Sequence, residues 1–244
     1  MWRRLRDDVP MSRKYPIRLV LYAGALAAYL AWQPLHNGWV RYGLPLALAM
    51  TWAGAVMLAW ERRKWRVAVM GLPLLVMLPF IMPGRELDAP RLTDRYLASM
   101  RGYEGTRYRW GGEGGLGIDC SGLPRRALRE ALLDQALRGN GRAARLWLEQ
   151  WWYDTSAKAM SEGYRGFTRP TGVTGELVTI DPATVKAGDL AVTQDGRHVL
   201  IHLGDGAWIQ ADPGEGKVVI GRPGKDQNPW FRSGVTVHRW EVFW

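Results

Sequence analysis

The N-terminal third of the chain contains three long runs of apolar residues, at positions 19–35, 42–60 and 67–82. Each run is roughly 16–19 residues long and has no charged side chain, which is close to the length that a bilayer-spanning helix needs. Tryptophan and tyrosine lie near the ends of the runs, where their amphipathic rings favour the membrane–water interface. We therefore predict that residues 1–84 form a membrane anchor with three transmembrane helices.

The apolar positions after residue 84 follow first a helical and then an extended pattern. Helical spacing predicts helices over 91–103, from near Cys120 to Leu137, and from Arg142 to about Gly163. Five short segments rich in β-branched and aromatic residues then predict an antiparallel sheet. These segments lie at 189–193, 198–203, 207–211, 217–221 and 235–243. Helices followed by strands are typical of an α+β domain with its helices on one face, which we assign to residues 85–244.

The positive charge of the chain lies almost wholly in the predicted anchor. Residues 1–84 contain eleven Lys/Arg and three Asp/Glu, a net charge of +8, whereas residues 85–244 contain 22 and 20, a net charge of +2. A nucleic-acid-binding protein would have a basic soluble surface, so we predict no nucleic-acid partner. Membrane topology explains the basic excess better.

The flanking charges predict the orientation of the anchor. Ten Lys/Arg residues lie before the first apolar run or between the second and third, whereas the loop between the first and second contains only Arg41. Positively charged loops stay in the cytoplasm, so three spans place residues 85–244 outside. Because Pro73 and Pro79 interrupt the third run, the alternative is a two-span hairpin with an interfacial segment and a cytoplasmic domain.

Cys120 is the only cysteine of the chain, which excludes an intramolecular disulfide. It follows a glycine-rich segment, 111–117, and stands at a predicted helix start beside Asp119, a good N-cap residue. The positive end of a helix dipole favours a thiolate, which is the nucleophile of acyl transfer, and free N–H groups there can hold an oxyanion. A lone cysteine is otherwise often a small buried hydrophobe.

Two histidines on one predicted strand are candidates for the base. His198 and His202 share a face but lie about 13 Å apart, so only one of them can contact Cys120. His198 follows a turn at the start of the strand and is the candidate base, whereas His202 is interpreted as a core residue. Gln210, a polar residue in an apolar run on the next strand, can orient the imidazole, or it is an edge-strand residue without a role.

The remaining histidines are scattered along the chain and, with one cysteine, give no ligand set at zinc-like spacing. We therefore predict that the protein needs no metal and no cofactor.

Three blocks of the soluble domain resemble the signature of the NlpC/P60 family. Residues 108–123, YRWGGEGGLGIDCSGL, contain the family's tyrosine, paired glycines and Asp-Cys-Ser-Gly. Residues 186–190, KAGDL, resemble its Pro-Gly-Asp-Leu, and residues 198–206, HVLIHLGDG, resemble its His-Val-Gly-Ile-Tyr-Leu-Gly-Asp-Gly. The resemblance implies a papain-like cysteine peptidase domain with Cys120 as nucleophile, His198 as base and Gln210 in the third, polar position.

The resemblance also implies a substrate. The family's typical substrate is the peptide stem of peptidoglycan, cut between D-glutamate and a diamino acid. Tyr108 would lie at the mouth of the site, and Asp119 and Ser121 would help to bind a substrate amine. With the anchor, this implies an endopeptidase in the bacterial inner membrane whose catalytic domain lies on the periplasmic or extracellular side.

The chain departs from the family pattern in two respects. The third position is Gln210, where the family often has histidine, and residues 142–171 resemble a helical insertion that would act as a lid or specificity element. Two alternatives therefore stay open. One is a thiol amidase or acyltransferase that acts on lipid or another amide, and the other is an inactive binding module.

We expect a reporter enzyme fused after Trp244 to be active only on the outer side of the membrane, because three spans beginning in the cytoplasm end outside. Paired fusions of alkaline phosphatase and β-galactosidase measure this directly. Activity of the cytoplasmic reporter alone would contradict the three-span arrangement and support the two-span hairpin.

Overall fold

The computed structural model describes residues 13–244 as two compact units that divide between Leu78 and Pro79. The first unit contains α1 (Lys14–Trp32), α2 (Gly38–Ala59) and most of α3 (Arg63–Ile81). All three helices are long and apolar enough to cross a membrane, as the sequence predicts. Some of the basic residues used to predict the orientation lie outside the described residues, namely Arg3, Arg4 and Arg6.

The first two helices pack closely at Gly54 of α2. A Cβ atom at this position would lie 2.8 Å from Val20 Cγ2 and 3.3 Å from the Pro16 carbonyl oxygen of α1, so a larger residue would push the helices apart. The third helix continues through Pro73 and Pro79. These prolines therefore do not end α3, although each removes one backbone donor.

The second unit begins with helices. They are α4 (Ala89–Gly102), α5 (Gly122–Leu137), α6 (Gly141–Trp152) and α7 (Ala157–Ser161). The prediction of one helix over 142–163 is wrong, because Arg125 ends α6. The buried guanidinium of Arg125 donates to the carbonyl oxygens of Gln150 and Tyr153 and to the carboxylate of Asp154. These bonds satisfy the last turn of α6 and turn the chain away before α7.

Within residues 13–244, eight strands form a short hairpin and one six-stranded antiparallel sheet. Their bounds are β1 (Glu113–Gly114), β2 (Gly117–Ile118), β3 (Thr168–Glu176), β4 (Leu190–Thr193), β5 (Val199–Gly204), β6 (Ala207–Asp212), β7 (Lys217–Gly221) and β8 (Gly234–Trp240). The hairpin β1–β2 lies in the glycine-rich segment, which was expected to be irregular. The sheet order is β3–β8–β4–β5–β6–β7, and it contains the five predicted strands.

The sixth strand, β3, was missed by the sequence analysis. Pro170, Gly172 and Gly175 disrupt its pattern, but an edge strand tolerates such residues. The pairing of β3 with β8 shifts register between Pro170 and Thr174, which is typical of a bulge. The prediction of five strands is therefore corrected to six.

The opposite edge of the sheet, β7, is covered by the chain that precedes the hairpin. Gly105 N–H donates to the Val218 carbonyl over 2.9 Å, and Val218 N–H donates to the Thr106 carbonyl over 2.8 Å. Tyr108 N–H continues the pairing with the Gly216 carbonyl at 2.8 Å. This pairing brings Tyr108 beside the loop that holds Cys120.

The two faces of the sheet are covered differently. Leu190, Ile201 and Ile209 pack with side chains of α4 and α5, whereas Leu200 and Trp208 pack with segments outside the helices. The helices thus lie on one face, as predicted. The Trp240 indole of β8 donates to Tyr96 Oη of α4 over 2.8 Å, which ties the last strand to the first helix of this unit.

Candidate active site

The carboxylate of Asp119 fixes the chain on both sides of Cys120. Its Oδ1 accepts from Ser121 Oγ at 3.0 Å and from Gly122 N–H at 2.6 Å, and its Oδ2 accepts from Gly111 N–H at 2.7 Å. A Cβ atom at Gly122 would lie 2.2 Å from the Gly112 carbonyl oxygen, so the helix can begin only at a glycine here. Cys120 therefore stands two residues before the start of α5.

A buried ion cluster holds the hairpin of the glycine-rich segment against α5. The carboxylate of Glu113 in β1 pairs with the guanidinium groups of Arg125 and Arg129, which are both on α5. All three side chains are at most 6% exposed. Because an unpaired charge at such depth is strongly destabilising, the cluster keeps the glycine loop and the helix in one arrangement.

The thiol of Cys120 reaches the residue that precedes His198. Its Sγ donates to the Arg197 carbonyl oxygen at 3.8 Å. Cys120 is 6% exposed and His198 is 1% exposed. The structure thus places the Cys120 thiol against the backbone of the residue before His198.

The imidazole of His198 is held between Gln210 and Trp230. Nε2 of His198 lies 2.5 Å from Oε1 of Gln210, and an amide oxygen can only accept, so Nε2 carries the proton. The Trp230 ring stacks on the imidazole, with centroids 4.0 Å apart and planes inclined by 18°. This tautomer leaves Nδ1 with a lone pair that can take a proton.

Burial keeps the thiol and the imidazole neutral. It raises the pKa of Cys120 to about 12, with a further contribution from the charge of Asp119, whereas nearby N–H groups oppose the shift. Burial also lowers the pKa of His198 to about 4, against the hydrogen bond to Gln210 and the charge of Asp212. The sequence analysis expected the helix N-terminus to favour a thiolate, but desolvation outweighs that effect in the resting site.

Two of the three predicted substrate-binding residues, Asp119 and Ser121, are the chain neighbours of Cys120, and the third, Tyr108, is close enough to interact electrostatically with the thiol. Tyr108 is half-buried, and burial raises its pKa to about 12, with contributions from Cys120 and Asp119. Ser121 Oγ donates to Asp119, and both carboxylate oxygens of Asp119 accept hydrogen bonds within the loop. Asp119 therefore has a structural function, and the binding of a substrate amine by these residues stays a prediction.

His202 has a different environment from that of His198. It is 3% exposed, and its ring lies 4.9 Å from that of Trp208 at an angle of 37°. Burial lowers its pKa. This packing agrees with the interpretation of His202 as a core residue.

Two neighbours of His198, Asp212 and Trp230, were not found from the sequence. Asp212 Oδ2 accepts from Asn228 Nδ2 at 2.6 Å, and Asn228 Oδ1 caps the short 3₁₀ turn Pro229–Arg232 through the Trp230 N–H at 3.0 Å. This chain of contacts holds Trp230 over the imidazole. Asn228-Pro229 is a recognisable start of a helical turn, but no sequence signal indicates which ring the turn covers.

A cavity of about 580 Å³ adjoins the far side of this group and is lined by Gln210, Asp212 and Trp230 among others. Among the described residues there is no group of three His, Cys, Asp or Glu side chains that could hold a metal ion.

Comparison with known proteins gives one family. The model of the NlpC/P60 family matches residues 105–232, just over half of the chain. No curated protein matches the chain.

Three of the solved structures that are similar to this chain are the following. The P60 domain of an antigen from Mycobacterium avium subspecies paratuberculosis is 20% identical, with a TM-score of 0.36, over 62% of this chain and 96% of that one. The NlpC/P60 domain of the peptidoglycan hydrolase SagA is 24% identical, with a TM-score of 0.36, over 59% and 97%. The peptidoglycan hydrolase RipB from Mycobacterium tuberculosis is 21% identical, with a TM-score of 0.38, over 84% and 94%.

We expect iodoacetamide to alkylate Cys120 slowly at pH 7 and progressively faster up to at least pH 10, because only the thiolate reacts and burial raises the thiol pKa to about 12. Mass spectrometry of the intact chain gives the rate at each pH. The urea-unfolded chain is the control and should react faster at pH 7, since a free thiol has a pKa of about 8.5. A rate that is already constant between pH 5 and 8 would show a resting thiolate–imidazolium pair instead.

If Gln210 orients His198, Gln210→Ala should lower kcat by roughly ten- to a hundredfold with little change in KM, because the imidazole loses its fixed tautomer and aim. Gln210→His should keep or restore activity, since an imidazole nitrogen can accept the same hydrogen bond. Steady-state kinetics and a thermal unfolding midpoint for each variant provide the measurement. A Gln210→Ala protein that is fully active and equally stable would leave Gln210 without a role.

Proposed function

The chain belongs to the NlpC/P60 family, whose members are cysteine peptidases and amidases, and from this premise we propose that it is a membrane-anchored endopeptidase of peptidoglycan stem peptides. The observation that carries the proposal is the contact of the Cys120 thiol with the carbonyl oxygen of Arg197, the residue before His198, together with the hydrogen bond between His198 Nε2 and Gln210. Cys120 is then the nucleophile, His198 the base and Gln210 the group that orients it.

The first half of the reaction forms an acyl-enzyme. Nδ1 of His198 takes the proton of Cys120 as Sγ attacks the amide carbon, which gives a tetrahedral oxyanion and an imidazolium. Backbone N–H groups of Cys120 and Ser121, just before α5, are suited to hold the oxyanion. The C–N bond then breaks, the imidazolium gives its proton to the leaving amine, and a thioester remains on Sγ.

Water completes the cycle. His198 takes a proton from a water molecule that attacks the thioester carbon, and the C–S bond breaks with return of the proton to Sγ. The products are a free carboxyl group on one peptide and a free amine on the other. Charge develops on His198 only during these steps, when the carboxylate of Asp212 and the face of Trp230 stabilise it.

The choice of substrate and location rests on the family and on the anchor. Stem peptides of peptidoglycan are the typical substrate that the family resemblance implies. The basic residues at the start of α1 and in the loop before α3 favour the cytoplasmic side for those segments, which supports a catalytic domain on the periplasmic or extracellular side of the bacterial inner membrane. Tyr108, Asp119 and Ser121, which line the approach to the thiol, are proposed to bind the substrate.

We expect Cys120→Ala and His198→Ala each to lower the cleavage of purified stem peptides by at least about a thousandfold, because nucleophile and base act as a unit. Chromatography and mass spectrometry of the products measure the rate and identify the bond. His202→Phe is the matched control, since it changes a second buried histidine of β5 that packs on Trp208, and it should keep activity if the protein folds.

An active His198→Ala enzyme would move the base to another residue. Release of fatty acids from acyl lipids without cleavage of stem peptides would favour the lipid amidase alternative. Full loss of activity on chelation, restored by zinc, would contradict the thiol mechanism.

A further inference from the structure

The segment that joins α3 to α4, residues 82–88, is docked on the catalytic domain and is not a free linker. Its contacts are concentrated on the corner between α5 and α6. The Pro83 carbonyl accepts from Gly141 N–H at 3.0 Å, and Arg145 Nη1 donates to the carbonyl oxygens of Pro79 and Met82 at 2.9 and 3.2 Å. Leu87 packs against the core of the domain.

Two buried amide side chains bind the main chain of the docked segment. Asn140 accepts from Arg85 N–H at 3.3 Å and donates to the Glu86 carbonyl at 3.1 Å. Gln135 binds both the N–H and the carbonyl of Asp88, at 3.2 and 2.9 Å. Because Asn140 and Gln135 are only 7% and 4% exposed, undocking would leave buried polar groups without partners.

The glycine that follows Asn140 makes the close approach possible. A Cβ atom at Gly141 would lie 2.3 Å from the Met82 carbonyl oxygen, so a larger residue would push the segment away from α6. If this segment of seven residues were free and extended, the domain could lie about 24 Å further from the end of α3. The docked arrangement removes that reach, because the chain leaves α3 at Ile81 and is bound to the domain from the next residue onward.

Helix α5 then determines how far the thiol can lie from this attachment. Cys120 stands just before the first turn of α5, whereas Gln135 lies in the last turn and Asn140 and Gly141 follow directly. A helix of 16 residues is about 24 Å long. The thiol therefore lies roughly one helix length from the point at which the chain leaves α3, whatever the tilt of the domain.

We infer that the enzyme acts on peptide amides that are themselves held at the membrane, within about 25–30 Å of the bilayer surface. This inference rests on the proposed function and on α3 as a membrane span. The substrate class is a stem peptide attached to a membrane-bound carrier or strand, as distinct from peptides in distant layers of the wall. The docked segment is the element that selects this class, because it limits the height of the site and leaves the chemistry unchanged.

The height of the site can be measured without activity. The full chain with Cys120→Ala and Arg197→Cys is labelled with a donor dye, because the Arg197 side chain is 80% exposed and its carbonyl lies beside the thiol position. Energy transfer to acceptor dyes on lipid headgroups is recorded in vesicles. One variant has about twenty Gly and Ser residues inserted between Ile81 and Met82, and a second has Gln135→Glu with Asn140→Asp.

The double variant keeps the side-chain oxygen at position 140, which caps α6, but replaces both amide donors with carboxylate oxygens that repel the Glu86 and Asp88 carbonyls, so it releases residues 85–88. We expect strong transfer in the parent chain, with the label within about 30 Å of the headgroups, and a fall of at least twofold in transfer efficiency in both variants. Equal transfer in all three proteins, or weak transfer in the parent chain, would overturn the inference.

The substrate arm uses one synthetic stem peptide in three forms with the unlabelled active enzyme in vesicles. The peptide is free in solution, attached to a lipid directly, or attached to a lipid through about fifteen prolines, which form a stiff spacer about 46 Å tall. We expect the parent enzyme to cleave the directly attached peptide at least tenfold faster than the tall one, and the insertion variant to reduce this difference below threefold. Equal cleavage of both attached peptides by the parent enzyme would overturn the inference.

The free peptide separates the two proposals. The parent enzyme and the insertion variant should cleave it at the same kcat/KM, because the insertion does not touch the site. If no form of the peptide is cleaved, the proposed function fails, and the energy-transfer result still decides whether the docked segment holds the site near the bilayer.

Discussion

The position of the Cys120 thiol depends on a single carboxylate, that of Asp119. Its two oxygens bind the loop before Cys120 and the helix after it, so the thiol lies at a point that neither segment would fix alone. Burial raises the pKa of this carboxyl, and the hydrogen bonds from the loop lower it. A carboxylate at such depth is tolerated only with these partners, and the partners are ordered only with the carboxylate in place.

A neutral resting pair has consequences for the chemistry of Cys120. Because the thiol and the imidazole carry no charge before substrate binds, the groups around His198 contribute when charge develops. The same burial protects the sulfur, since oxidants attack thiolates that are accessible. In the proposed mechanism, the thiol becomes nucleophilic only when a substrate amide fills the site and His198 takes its proton.

The sequence predicted the regular parts of the fold better than the irregular segments and the surroundings of His198. The apolar period identified α4 and α5, and alternating segments identified five strands. It missed β3, whose proline and glycines are tolerated only because the strand lies at an edge, and it joined α6 to α7 because the contacts of Arg125 with Gln150, Tyr153 and Asp154 are not visible in a local pattern. Trp230 and Asp212 could not be assigned, because their effect on His198 depends on how distant segments pack.

The two edges of the sheet are closed by different means. Main-chain pairing with residues 105–108 occupies β7, and the bulge and Pro170 interrupt the free edge of β3. For a domain confined to the plane of a bilayer, neighbouring copies meet far more often than they would in free solution. At such a high local concentration, open strand edges of neighbouring copies would pair with one another, which leads to aggregation. For the membrane-anchored enzyme that we propose, the irregularity of β3 would keep neighbouring copies from joining their sheets.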